Sequence, residues 1–351
     1  MGVEYPLTPF LGVIEGFYGQ AWPQATRLRM VSWLSQIGID AYLYAPKSNP
    51  YLRKRWQEPL PPSQQKLLRE LVAGCEASGL ACAVGLSPFA LYRAYNARAR
   101  QQLRDKIRQL DDLGFSILAL LFDDMPGEQP DLAKIQAHIC ADVADWSAAR
   151  RLLVCPTFYS DDPVLDRVFG ARPANYLSDL GAGLADNAEL FWTGPEVCSA
   201  RVRPEDLQPA IRSAGRRLAL WDNYPVNDSR SRSEHLYLAD LGGRSAKLGE
   251  LLSSHWCNAM NQAALSLPAL ASLPALYGRE APLKASALHE AGVNQALVSA
   301  CLPLARVSRE TLDERERNTL LRAVVPGSLA ARELADWLAG RYRFDPACLT
   351  D

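Results

Sequence analysis

Short apolar runs alternate with amphipathic stretches along most of this chain. The runs are nearly continuous in apolar residues, which is typical of strands buried on both faces of a parallel sheet covered by helices. Between them, residues 63–78 and 97–113 carry apolar positions at helical spacing. The predicted strands are residues 10–14, 41–44, 80–86, 116–122, 152–155, 190–192, 218–221 and 251–256.

Eight strands, most of them followed by a helix, predict an α/β fold of the (β/α)8 TIM barrel type. An open doubly wound sheet is the alternative, and the GxGxxG of its nucleotide-binding version is absent. We place the barrel at residues 8–275, close to the roughly 250 residues that such a barrel takes. Residues 276–351 are predicted to form a small C-terminal all-helical segment, with helices at 283–300, 312–324 and 330–341.

Composition narrows the class of protein. The 351 residues include 38 basic and 39 acidic side chains, a balance that argues against a nucleic-acid partner. No secretory signal and no apolar run of about 18 residues is visible, so we expect no membrane span. Eight scattered cysteines without a CxxC pair, and four histidines, argue against a zinc site. The expectation is a cytoplasmic protein with free buried thiols and neither metal nor cofactor.

Polar residues follow several of the predicted strands, and the strongest of these features is Asp123–Asp124. In a (β/α)8 barrel the active site lies at the C-terminal ends of the strands. Two adjacent carboxyl groups at a partly desolvated site do not ionise independently, so one of the two is predicted to have a raised pKa. That arrangement supplies a general acid beside an anionic stabiliser, as glycosidic cleavage requires. Alone, the pair could equally cap a helix, hold a divalent cation or be a solvated charge pair.

Six motifs that occur in order along the chain favour the catalytic interpretation of Asp123–Asp124 over the other three. The chain resembles glycoside hydrolase family 84, the group that contains the protein O-GlcNAcases, from residue 10 to about residue 270. The motifs are GVIEGFYG at 12–19, AYLYAPK at 41–47, ALLFDD at 119–124, CPTFY at 155–159, WTGPEV at 192–197 and, at 221–228, WDN with a downstream Asn-Asp.

The resemblance implies hydrolysis of terminal β-linked N-acetylglucosamine (GlcNAc) with retention of configuration. In this family the substrate's own 2-acetamido oxygen is the nucleophile, and an oxazoline is the intermediate. Asp123 would orient the amide N–H and stabilise the developing positive charge. Asp124 would protonate the leaving oxygen and then deprotonate water. Because neighbouring residues of a strand face opposite ways, the pair can share one site only if the backbone bends there.

Four other positions are implied to meet sugar hydroxyls or the sugar ring. Gly16 would let the backbone approach a hydroxyl closely. Lys47 and Asp228 would hydrogen-bond hydroxyls, and Asn258 would contact another. The family usually has proline after this asparagine, whereas Ala259 follows here.

Three further positions are implied to hold the acetamido group. Tyr159 and Asn223 would place it near the carboxylates, and Trp221 would form an apolar wall for its methyl group. The family often has two aspartates after the lysine, whereas Ser48 and Asn49 follow Lys47 here.

The predicted function is therefore that of an exo-acting β-N-acetylglucosaminidase whose partner is a GlcNAc-bearing glycoprotein or glycan. The aglycone is open between Ser or Thr of a protein, a cell-wall fragment and a glycosaminoglycan end. A non-catalytic GlcNAc-binding protein on the same fold is one alternative. A metal-dependent hydrolase using Asp123, Asp124 and Asp222 is another. The C-terminal helices are candidates for a homodimer contact.

Overall fold

A closed parallel barrel forms the centre of the molecule. The computed structural model describes residues 8–350, and its eight strands pair in chain order, with the last strand closing onto the first. This confirms the (β/α)8 prediction and excludes the open doubly wound sheet. The strands are β1 Phe10–Glu15, β2 Ala41–Tyr44, β3 Ala81–Leu86, β4 Ile117–Leu121, β5 Arg151–Cys155, β6 Ala188–Trp192, β7 Leu218–Asp222 and β8 Leu252–Asn258.

Helices surround the barrel. Those that follow the strands bury one face on the sheet, as in α2, where Leu68, Leu71, Val72 and Cys75 are buried. The helices up to residue 276 are α1 Gln24–Gln36, α2 Pro62–Ala77, α3 Ala97–Asp111, α4 Leu132–Trp146, α5 Pro163–Phe169, α6 Tyr176–Gly183, α7 Pro204–Ala214, α8 Ala263–Leu270 and α9 Leu273–Leu276. Among residues 8–350, no helix combines the length and the apolar character needed to cross a bilayer.

The segment after residue 276 is helical, but one predicted helix is wrong. Residues 283–300 form two helices because Gly292 adopts φ 80°, a left-handed conformation that ends the first. The side chain of Asn294 then caps the second by accepting a hydrogen bond from the Leu297 N–H at 2.7 Å. The helices are α10 Lys284–Ala291, α11 Gln295–Cys301, α12 Glu314–Ala323 and α13 Leu329–Leu338.

These helices contact the barrel through hydrogen bonds of buried polar groups as well as through apolar packing. Glu333 of α13 accepts a hydrogen bond from the Leu265 N–H in the first turn of α8, at 3.2 Å. Burial raises the pKa of Glu333 to about 8 although the first N–H groups of α8 oppose the shift. Trp337 is fully buried and donates its indole N–H to the Ser233 carbonyl at 3.1 Å. The C-terminal helices therefore share a continuous interior with the barrel.

Candidate active site

One hollow of about 530 Å³ opens at the C-terminal ends of the strands. Because every parallel strand ends on this side, residues far apart in sequence meet there. The nine residues singled out from the sequence all line it, whereas their roles toward a sugar remain predictions. They are Gly16, Lys47, Asp123, Asp124, Tyr159, Trp221, Asn223, Asp228 and Asn258.

The backbone bends where the two adjacent carboxylates stand. β4 ends at Leu121, and Asp124 has φ 55°, in the left-handed region that few residues other than glycine adopt. The bend lets the side chains of Asp123 and Asp124 line the same hollow, each only 7% exposed. Strain of this kind persists only where the surrounding structure holds it, and it concentrates at functional sites.

Asp123 has one oxygen paired and one oxygen free. Its Oδ2 accepts a hydrogen bond from the Lys47 ammonium, which is itself 5% exposed. Its Oδ1 is buried and has no hydrogen-bond partner among the described residues. A buried oxygen without a partner is uncommon and costly, because it has lost water without gaining a donor. One carboxylate oxygen of a residue that lines the hollow therefore lacks a donor.

Asp124 is surrounded by donors. Its Oδ2 accepts from the Tyr18 hydroxyl at 2.6 Å, and its Oδ1 accepts from the Tyr159 hydroxyl at 3.1 Å. The Lys47 ammonium lies 3.6 Å from Oδ2. The Arg53 guanidinium donates to the backbone carbonyl of Asp124 at 3.2 Å.

These neighbours correct the predicted ionisation of Asp124. Burial raises the pKa of its carboxyl group. The charges of Lys47 and Arg53 and the two tyrosine hydroxyls outweigh burial, so the pKa lies below its ordinary value. The sequence predicted a raised pKa for one of the two carboxyl groups. Asp124 does not have it, because the prediction counted desolvation and the like charge but not the two cations.

Tyr18 and Arg53 were not singled out from the sequence. Tyr18 links two acidic groups, since its hydroxyl donates to Asp124 and its backbone N–H donates to Asp228 at 2.7 Å. Arg53 is 7% exposed and also donates to the Ser87 hydroxyl at 2.9 Å. Tyr18 stands in the same GVIEGFYG motif as Gly16, so that motif was the available signal. Arg53 comes from a loop without periodicity.

Another part of the lining is formed by two asparagine side chains that are linked by hydrogen bonds. Asn223 accepts from the Trp221 indole at 2.9 Å and from the Asn258 side chain at 3.1 Å, and it donates to the Val197 carbonyl at 2.8 Å. Asn258 in turn accepts from the Gly16 N–H at 3.2 Å. A Cβ on residue 16 would stand 2.7 Å from Ile14 and 3.0 Å from Trp221. Only glycine therefore fits here, and each amide is held in one orientation.

Asp222 does not join this hollow. Arg244 donates to both of its carboxylate oxygens, at 2.7 and 2.5 Å, and His255 lies 3.1 Å from Oδ2. Asp222, His255 and Cys257 are close enough to share an ion, but the guanidinium already neutralises the carboxylate. The proposed trio of Asp123, Asp124 and Asp222 as ligands of one metal is therefore not assembled.

Asp228 is a half-buried carboxyl group at the edge of the hollow. Burial raises its pKa to about 6, and the charge of Asp124 adds to this. The backbone N–H groups of Tyr18 and of Asp228 itself, together with the charge of Arg232, oppose the shift. Asp228 consequently changes its charge within the range of pH at which most enzymes are assayed.

This raised pKa predicts a pH-dependent stability difference between wild type and Asp228→Asn. Between pH 4 and pH 6 the unfolded carboxyl group has lost its proton while the folded one still holds it, so wild-type stability falls as pH rises. We expect the free energy of unfolding of wild type minus that of the variant to fall by about 2 kcal/mol across this window and to stay constant above it. Urea unfolding at a series of pH values measures this difference. Asp179→Asn, at an exposed carboxyl group of α6, is the control. A difference that does not change with pH for Asp228→Asn would contradict the assignment.

Comparison with known proteins agrees with this geometry. The family model of beta-N-acetylglucosaminidase matches residues 11–300. The protein O-GlcNAcases of Mus musculus and Rattus norvegicus are each 27% identical over 246 residues, which is 68% of this chain. The match spans only 26% of the length of those two relatives. An O-GlcNAc hydrolase mutant from Thermobaculum terrenum superposes with a TM-score of 0.73 at 27% identity, over 90% of this chain and 71% of the other.

Proposed function

Because this chain belongs to the beta-N-acetylglucosaminidase family, we propose that it is a retaining exo-glycosidase that removes terminal β-linked GlcNAc with the help of the sugar's own acetamido group. The observation that carries the proposal is that Asp123 lines the hollow while its buried Oδ1 has no hydrogen-bond partner among the described residues. An amide N–H is the donor that a GlcNAc ring would bring to it.

The first chemical step follows from that hydrogen bond. With its N–H held by Asp123, the acetamido group presents its carbonyl oxygen to the anomeric carbon. A bond forms between this oxygen and the anomeric carbon while the glycosidic bond breaks, and positive charge develops on the amide. The Asp123 carboxylate stabilises that charge, and the Lys47 ammonium holds the carboxylate in place through its other oxygen.

Asp124 carries the proton in this scheme. It gives a proton to the departing oxygen, and in the second step it takes one from the water that opens the oxazoline. Its pKa lies below the ordinary value because Lys47, Arg53 and the two tyrosines outweigh burial, and a bound sugar that excludes water strengthens the opposing contribution of burial. Tyr18 and Tyr159 hold both of its oxygens in place between the two steps.

The natural aglycone that we propose is a Ser or Thr side chain of a protein. The support is the identity of the curated and solved relatives, whose names describe removal of O-GlcNAc. Cell-wall and glycosaminoglycan ends are the alternatives that a substrate panel separates.

The test follows product formation from the purified chain. We expect release of GlcNAc from an aryl N-acetyl-β-glucosaminide and from a peptide bearing β-O-GlcNAc on Ser or Thr, with the β-anomer appearing first by proton NMR. An aryl β-glucoside lacking the acetamido group is the matched control and should not be cleaved at a comparable rate. Initial release of the α-anomer would refute retention, and a protein that binds GlcNAc but cleaves neither substrate would favour the non-catalytic alternative.

A further inference from the structure

The last residues of the chain return to the mouth of the hollow. After α13 ends at Leu338, the Arg343 carbonyl oxygen lies 3.2 Å from the point where a Cβ on Gly19 would stand. The Arg230 guanidinium lies 4.8 Å from the ring centroid of Phe344. Gly19 follows β1 and Arg230 follows β7, so the chain is anchored on two loops of the rim around the hollow.

Residues 345–350, here called the C-terminal tail, form a turn and then an extended stretch. The Cys348 N–H donates to the Asp345 carbonyl, and the Ala347 N–H donates to the Asp345 side chain, both at 2.9 Å. Cys348 and Thr350 are half-buried, whereas Ala347 and Leu349 are exposed. This alternation is that of an extended segment with one face against the protein.

The inward face of the tail lies in the site itself. Cys348 and Thr350 line the same hollow as Asp123 and Asp124. Tyr159 lines the hollow as well, and its hydroxyl donates to Asp124. Cys348 and Thr350 therefore share one cavity with the group that protonates the departing oxygen in the proposed function.

The tail also connects two recesses that adjoin the hollow. On one side, Asp345, Ala347 and Leu349 line a recess together with Arg53 and Phe89. On the other, Thr350 lines a recess with Asp162 and Arg167. The path from one recess past the catalytic pair to the other is the space that an extended peptide with a glycosylated side chain would need.

We propose that the C-terminal tail is an autoinhibitory strap that occupies the aglycone path in the manner of a released peptide product and must move aside before a glycopeptide binds. The inference rests on the proposed function, since it assigns the aglycone side of that same site. A strap in equilibrium between seated and released positions lowers the apparent affinity for substrate by the fraction of molecules that are open.

Removal of the tail tests the strap. In a chain that ends at Phe344, we expect KM for the glycopeptide to fall about fivefold or more while kcat is maintained, because only the open fraction changes. A synthetic peptide with the sequence of residues 345–351 should inhibit the shortened chain competitively. Equal KM values for the two chains, together with no inhibition by the peptide, would overturn the proposal.

A charge substitution tests the strap in the chain that keeps its tail. Asp228 and Asp124 both act on Cys348, since their charges add to burial in raising the pKa of its thiol. Cys348→Asp places a carboxylate beside them, so we expect the tail to be expelled and KM to fall as in the shortened chain. Leu321→Asp adds the same charge on α12, at a side chain that is 41% exposed and lies outside the hollow, and should leave KM at the wild-type value. Equal KM in Cys348→Asp and Leu321→Asp would contradict the seating of the tail, even if the shortened chain fails to fold.

A binding measurement separates this proposal from the function on which it rests. Calorimetric titration with a glycopeptide mimic, in which β-GlcNAc is joined to a cysteine through sulfur and resists hydrolysis, requires no turnover and fills both the sugar side and the aglycone side. If neither chain hydrolyses a glycoside, the proposed function fails, and the strap is still judged by the mimic. Tighter binding to the shortened chain supports the strap, and equal affinity for the two chains refutes it.

Discussion

Asp124→Asn is expected to reduce kcat/KM for a Ser- or Thr-linked GlcNAc peptide by about 10³-fold while reducing it by only about tenfold for an activated aryl glycoside. A serine alkoxide is a poor leaving group and must receive a proton as the bond breaks, whereas a nitrophenolate leaves without one. Asparagine keeps the shape of the side chain and the contact with the Tyr18 hydroxyl, so the change removes chiefly the transferable proton. Parallel assays of the two substrates measure the split, and an equal loss on both would contradict the role of acid.

A second readout isolates the role of Asp124 as base. Water must lose a proton as it opens the oxazoline, but azide needs no such help. We expect azide to restore turnover of the aryl glycoside in Asp124→Asn and to give a β-glycosyl azide. Asp142→Asn is the matched control, since Asp142 is a buried carboxylate that Tyr95 and Arg100 hold on α4, away from the hollow. It should keep wild-type rates and gain nothing from azide.

The barrel could be predicted from sequence because parallel strands covered on both faces leave continuous apolar runs. The runs are weakest where the sheet carries polar groups. β6 begins two residues earlier than predicted, and its Glu189 pairs with Arg151 and accepts hydrogen bonds from Ser253 and Ser254 at 2.8 and 2.6 Å. These polar residues interrupt the apolar runs of β6 and β8. They are tolerated there because they form hydrogen bonds and an ion pair with one another, and a single segment of sequence does not reveal such partners.

The composition of the hollow could be predicted only where a motif marks it. Arg53, Lys54 and Arg55 follow one another, and nothing in their spacing says which of them turns inward. Arg53 is buried and donates to the Asp124 backbone carbonyl, whereas Arg55 pairs with Glu58 in solvent. The lowered pKa of Asp124 depends on the burial of Arg53, because Arg53 supplies part of the positive charge around Asp124. The position of the tail is a further fact of tertiary structure, since residues 345–350 carry no periodic pattern that would bring them to the barrel.

Asp123→Asn is expected to lower kcat/KM by about 10²- to 10³-fold on the glycopeptide and on the activated aryl glycoside alike. The leaving group does not matter here, because Asp123 acts on the nucleophile. In the variant a neutral amide faces the developing positive charge. Where its NH2 group replaces the Oδ1 of Asp123, two donors face each other and the acetamido N–H has no acceptor. Rates on the aryl substrate close to wild type would end the assisted mechanism, whatever the glycopeptide showed.

The same substitution also removes the nearer of the two carboxylates that pair with the buried Lys47, so lost stability must be separated from lost chemistry. Asp222→Asn is the matched control, because it breaks a comparably buried pair with Arg244 outside the hollow. Both variants should unfold at lower urea concentration, but only Asp123→Asn should lose turnover per folded molecule.

The aryl β-glucoside provides a second test, since it has no acetamido group for Asp123 to hold. The preference of wild type for the N-acetylated substrate over this glucoside should collapse in Asp123→Asn and persist in Asp222→Asn, and a preference that survives in both would place the acetamido group elsewhere.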